Sequence, residues 1–163
     1  MKVLIAYRSR YGATESCART LAGKISGETV LHDLRVRSRP PVGDFDVVLI
    51  GGSIYGGRIQ REIEPFCDRE RQQLLSRRVG LFICCFYQGE RGMAELAAAF
   101  PPWLAAHAFA RELLGGQLSV EKLSLLDRLL VRGLIRPARE IRAVRADALD
   151  RLAGQVNALS ASR

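Results

Sequence analysis

Short apolar runs alternate with four-residue apolar spacing along this chain. Lys2–Tyr7 (KVLIAY) is a run rich in strand formers that ends at Ser9–Gly12. Ala13, Cys17, Leu21 and Ile25 then recur every fourth residue, the spacing of a helix face. Thr29–His32 predicts a short strand, and Arg35–Asp44, with Pro40, Pro41 and Gly43, predicts a loop. Asp46–Ile50 (DVVLI) is a second buried strand, expected to close at Gly51 and Gly52. A helical stretch from about Ile59 to Arg77 follows, with Pro65 starting or kinking part of it. Val79–Phe86 (VGLFICCF) predicts a third buried strand, punctuated by Gly89. Glu90–Phe100 reads as helix up to Pro101–Pro102, and His107–Leu113 as a strand stopped by Gly115–Gly116. The rest reads as helix broken at Gly133 and Pro137, with a last helix from about Val144 to Leu159.

Near-continuous apolar strands separated by helices are what a parallel sheet covered on both faces requires. The expected architecture is a single α/β domain over residues 1–163, three layers deep, with a five-stranded parallel sheet in the order 2-1-3-4-5. In that order the ligand crevice lies beyond the carboxyl ends of the first and third strands. The site is therefore expected in the loops after Tyr7, Gly51 and Phe86.

Composition narrows the chemistry. The chain has 163 residues and a formal net charge of +8, with a sequence pI near 9.9. Such a charge favours an anionic partner: nucleic acid, an acidic lipid surface, or a carboxylate- or phosphate-bearing small molecule. No nucleic-acid-reading motif accompanies the charge, so no nucleic-acid partner is expected. Cys17, Cys67, Cys84 and Cys85 show neither CxxC nor metal-ligand spacing, and His32 and His107 stand apart from them. No metal is expected. Adjacent cysteines in an apolar run read as reduced packing residues, which points to a cytoplasmic location. No targeting signal or membrane-spanning stretch is legible.

The three loops carry the candidate chemistry. Ser9-Arg10-Tyr11-Gly12-Ala13-Thr14 leaves a strand and opens a helix, where free N–H groups and the helix dipole favour a phosphate. The alternative is a plain turn with Thr14 as a cap. Neither GxGxxG nor a Walker lysine is present, which argues against a dinucleotide or ATP site. Gly51–Gly57 is glycine-dense around Ser53, Ile54 and Tyr55, with Gly56 and Gly57 after them; Tyr55 could stack on a flat ring. Cys85, Phe86, Tyr87, Gln88 and Gly89 offer a second aromatic loop.

The first loop resembles the S/T-x-x-G-x-T signature of flavodoxins, which binds the phosphate of FMN. The wider chain resembles the flavodoxin-domain branch that includes menaquinone-dependent protoporphyrinogen IX dehydrogenase. The resemblance rests on VLIGGSIYGG (48–57), GLFICCFYQGE (80–90) and GGQLSVEKLSLLDRLL (115–130), the last an inserted helix after the fifth strand. It implies FMN as cofactor, with Ser9 to Thr14 on the phosphate, Ser53 to Gly57 along one side of the ring, and Cys85 to Gly89 along the other. It implies an oxidoreductase whose flavin carries the redox chemistry, so no catalytic acid or base is named. The implied partners are an anionic porphyrinogen and a quinone acceptor. The alternative is a flavodoxin-type electron carrier with a redox protein partner. Beyond Arg136 the chain reads PAREIR, where relatives carry an acidic, tryptophan-containing stretch; the substrate is the part this touches.

The inserted helix has two readings. Glu121, Ser124, Arg128 and Arg132 share one face, opposite Leu123, Leu126, Leu130 and Leu134. It either packs on the sheet or lies as a basic amphipathic helix on an anionic membrane or lipophilic partner, placing the protein peripherally on the membrane's inner face.

Overall fold

The computed structural model describes residues 1–36, 40–116 and 144–161. The inserted helix and its arginines, Arg128, Arg132, Arg136 and Arg139, lie outside the described residues.

Five parallel strands form the sheet: β1 (Lys2–Arg8), β2 (Glu28–Asp33), β3 (Val47–Tyr55), β5 (Arg78–Cys84) and β6 (Ala110–Leu113). Their order is β2-β1-β3-β5-β6, and a two-residue strand, β4 (Arg58–Ile59), pairs antiparallel with the end of β3. Counting only the long strands, this is the expected 2-1-3-4-5. β3 is the centre, pairing Ile5 with Leu49 on one side and Leu49 with Gly80 on the other.

Alternation along each strand sends side chains to opposite faces. Val3, Ile5, Val47, Leu49 and Phe82 pack under α1 (Ala13–Lys24) and α6 (Ala146–Ala161). Leu4, Val48, Ile50, Leu81 and Ile83 pack under α2 (Ile63–Arg69), α3 (Arg71–Leu75), α4 (Gly89–Ala98) and α5 (Pro102–His107). The fold is therefore a three-layer α/β/α sandwich. Apolar burial holds α6 in place: Leu149, Leu152 and Val156 are buried, each contributing on the order of 1.5–3 kcal/mol. The exposed Lys24–Asp150 ion pair at 2.7 Å contributes at most about 1 kcal/mol. The Asn157 side chain sets the register of that packing, accepting from Ser26 N–H at 2.8 Å and donating to the Lys24 carbonyl at 3.0 Å.

Three local expectations change. Gly51 and Gly52 do not close the second long strand, because β3 runs through both to Tyr55. Their missing side chains are filled from neighbours: a Cβ on Gly51 would fall 2.0 Å from the Phe82 ring, and one on Gly52 2.7 Å from Ile59. The helix expected from Ile59 begins only at Ile63, with Pro65 in its first turn, and yields to a new helix at Arg71. His107 belongs to α5, not to a strand, since Pro102 starts a helix where fixed φ is favourable.

Gly51→Ala should therefore cost about 1–3 kcal/mol through overpacking against Phe82, read as a lower urea midpoint. Adding Phe82→Leu should recover part of that loss. An unchanged midpoint for Gly51→Ala would show that the ring does not hold the contact.

Candidate functional site

The carboxyl ends of β1, β3 and β5 converge on one crevice of ≈ 40 Å³. Its described lining is Ser9, Arg10, Tyr11, Ala13, Ser53, Ile54, Tyr55, Cys84, Cys85, Phe86 and Gly116. All three sequence-predicted loops contribute. Gly12, Thr14, Gly56, Gly57, Tyr87, Gln88 and Gly89 lie outside the described lining. Cys84 and Gly116 were not among the expected site residues. The Gly115–Gly116 pair after the last strand was the available signal, since a Cβ on Gly116 would press on the Cys85 carbonyl at 3.1 Å.

The first loop is built around Gly12. Its φ of 92° lets the chain turn tightly into α1, and its N–H donates to Ser9 Oγ at 3.0 Å. Gly12, not Thr14, is the N-cap, and no side chain caps the helix. This removes the reading of Thr14 as a cap. The opening amides of α1 have no carbonyl within the helix to meet. Thr14 is fully buried, and its Oγ1 has no hydrogen-bond partner. A buried orphan hydroxyl beside free helix amides suits an anionic oxygen.

Below this loop, Arg8 Nε meets Glu62 Oε1 at 3.0 Å, both side chains half-buried. The Arg8 guanidinium also bonds the Ser9 carbonyl. One ion pair thus ties the first loop to the start of α2.

The second loop is a tight hairpin. Gly56 and Gly57 have φ of 59° and 73°, the two positive values that a type I′ turn demands. They pair Tyr55 with Arg58 and Ile54 with Ile59, so their role is to fix Tyr55 at the crevice mouth. Ser53 Oγ is buried without a partner, a second orphan hydroxyl on the lining.

Arginines cover the tyrosines. The Arg10 guanidinium lies 3.9 Å from the Tyr55 ring centroid and 5.3 Å from that of Tyr11. Its Nε donates to Tyr11 Oη at 3.0 Å. On the opposite loop, Arg91 stands 3.3 Å over Tyr87, whose side chain is 38% exposed. One side of the crevice is therefore aromatic and cationic, at Arg10, Tyr11 and Tyr55, and a second such pair stands on the loop after β5, outside the lining.

The cysteines are buried thiols. Burial, with the Glu95 carboxyl beside it, pushes Cys85 up to about 12. Burial likewise pushes Cys67 up to about 12. Cys84 donates to Cys17 Sγ at 3.5 Å; that bond raises Cys84, with burial adding, and lowers Cys17. Among the described residues no cluster of metal-ligating side chains occurs.

A phosphorylated flat ring fits this donor set. The helix amides and Thr14 suit the phosphate, and Ser53 Oγ with the backbone of Cys85 and Phe86 suits a polar ring edge. The ring needs more room than ≈ 40 Å³, so the lining, of which the exposed Arg10 side chain is part, must open to take it.

Two outcomes follow from these side chains. Thr14→Val keeps the volume and removes the orphan hydroxyl, so the fold should hold while affinity for a phosphorylated flavin drops roughly tenfold. Equal affinity in a titration would remove Thr14 from the site. The raised thiols mean that folding favours the protonated form of Cys67 and Cys85. Their contribution to stability is complete below the unfolded thiol value and is lost as pH climbs from about 9 toward about 12. Urea midpoints of the parent should fall across that window more steeply than those of Cys67→Ala/Cys85→Ala; parallel curves would contradict the assignment.

Comparison with known proteins agrees with the geometry. A family model described as "Flavodoxin domain" matches residues 4–140. No curated protein matches the sequence. Among solved structures, a WrbA-like flavodoxin of Agrobacterium tumefaciens superposes with TM-score 0.61 at 17% identity, covering 99% of this chain and 98% of that one. The Streptococcus pneumonia TIGR4 flavodoxin gives TM-score 0.56 at 14% identity, with 98% and 99% covered. The rubredoxin:oxygen oxidoreductase of Desulfovibrio gigas gives TM-score 0.54 at 16% identity; 95% of this chain covers 36% of that protein, about a third of its length. At these identities the likeness shows the fold.

Proposed function

From the premise that this chain belongs to the flavodoxin-domain family and takes FMN, we propose that it is a flavin oxidoreductase acting on an anionic porphyrinogen, with a quinone as electron acceptor. The observation that carries the reading is the Arg10 guanidinium over Tyr55 on the crevice wall, with Arg91 over Tyr87 on the loop that follows β5. A cationic mouth attracts a carboxylate-bearing substrate and repels a basic redox partner.

When bound, FMN supplies electron and hydride transfer; the protein's own residues bind, orient and shield. The α1 amides and Thr14 would hold the phosphate, and Ser53 and the Cys85–Phe86 backbone the ring edge. Tyr55 and Phe86 would exclude water from the ring faces. Cys84 and Cys85 pack the crevice wall as protonated thiols and take no redox part in this reading. The formal charge of +8 also suits peripheral contact with an anionic membrane holding the quinone. No helix among the described residues is long and apolar enough to cross one.

The test is anaerobic incubation of the FMN-loaded protein with protoporphyrinogen and a soluble naphthoquinone. Porphyrin fluorescence should rise only when protein, FMN and quinone are all present. Formation no faster than without protein would overturn the reading. Rapid electron exchange with an acidic redox protein instead would make the chain an electron carrier.

A further inference from the structure

A second cavity, of ≈ 600 Å³, lies between the end of β2 and the start of α2. Leu34, Pro65 and the buried Phe66 give it an apolar lining. Arg35, Arg61 and Arg69 line it with charge. Arg35 is held by Asp33, and Arg69 bonds Glu70 at 3.0 Å while lying 5.8 Å from the Phe66 ring. Arg61 is exposed and pairs with no described residue.

His32, Val36, Pro40 and Glu62 also line it, and the two oxygens of Glu62 differ. Oε1 takes Arg8 at 3.0 Å, whereas Oε2 is buried with no hydrogen-bond partner. A buried, unsatisfied carboxylate oxygen calls for a donor. Arg8 bonds the Ser9 carbonyl as well, so this side chain links Ser9 of the flavin crevice to Glu62 of this cavity.

Apolar walls, guanidinium groups and an unmet acceptor together specify an occupant. A small anion such as phosphate would leave the apolar lining without a partner. A fatty acid would leave Glu62 Oε2 orphaned. A reduced tetrapyrrole has an apolar body, carboxylates at its rim and pyrrole N–H donors inside. We propose that this cavity is the recognition site for the carboxylate edge of such a ring, with Arg61 and Arg69 taking carboxylates and Glu62 Oε2 accepting from an N–H. The proposal rests on the porphyrinogen reading above and deepens it.

The experiment uses FMN-loaded protein and coproporphyrin III, a soluble tetracarboxylate followed by its fluorescence anisotropy. Arg61→Gln/Arg69→Gln should weaken binding roughly tenfold or more, with FMN content unchanged. Arg61→Lys, which keeps the charge, should lose less. The control Arg78→Gln/Arg111→Gln removes the same charge from the start of β5 and from β6, away from the cavity, and should bind like the parent. Equal loss in both double variants would mean general attraction, and the site would be abandoned; so would a parent that binds no porphyrin. The two readings separate cleanly. An Arg61→Gln/Arg69→Gln variant that oxidises protoporphyrinogen as fast as the parent keeps the function and loses this site. A parent that binds through Arg61 and Arg69 but never oxidises the porphyrinogen keeps the site and loses the function.

Discussion

The Phe82 ring fills the space where a Gly51 Cβ would stand, and the fit of β3 against β5 beneath the site depends on that contact. β3 is paired on both edges, so a side chain at Gly51 has no room unless the Phe82 ring moves. β1 ends level with Gly52 and β5 level with Ser53, while β3 runs on to Tyr55, and the three loops face one crevice. The neighbouring notch, Ile59 over Gly52, folds β4 back on β3 and sets Tyr55 at the mouth. Two glycines that provide close approach, followed by two that provide positive φ, thus turn a buried strand into one side of a binding site.

Placement at the carboxyl edge also brings the electrostatics together. Strand polarity puts the amino end of α1 at that edge, and Gly12 opens the helix without a side-chain cap to compete for its amides. The Arg8–Glu62 pair then braces the loop against α2. Much of the positive charge elsewhere is matched locally: Arg19 by Glu15, and Arg151 by Glu112 and Asp147. Those exposed pairs contribute little to stability, but they leave Arg58 and Arg61, just beyond the Tyr55 turn, paired with no described residue.

Most of this was legible in the sequence because parallel strands buried on both faces must be apolar throughout. KVLIAY, DVVLI and VGLFICCF could scarcely be anything else, and the loops between them hold the unusual residues. Illegible was whatever depends on partners distant in sequence. Gly51 and Gly52 look like a strand end until Phe82 and Ile59 are placed over them. Pro101–Pro102 looks like a break, although the second proline starts α5. Gly56 and Gly57 form a hairpin turn, which their spacing alone did not show. Tyr87 was expected along the ring; it lies outside the described lining, half-exposed under Arg91. The cavity around Arg61 had no sequence signal, since β2 and α2 meet only in the fold.

The central claim is that free helix amides and the buried Thr14 hydroxyl hold the phosphate of FMN. Equilibrium titration with FMN and with riboflavin, followed by quenching of flavin fluorescence, tests it most directly. The account predicts one FMN per chain and much weaker binding of riboflavin, which has the same ring and no phosphate. Equal affinity for the two flavins, or no quenching with either, would contradict it.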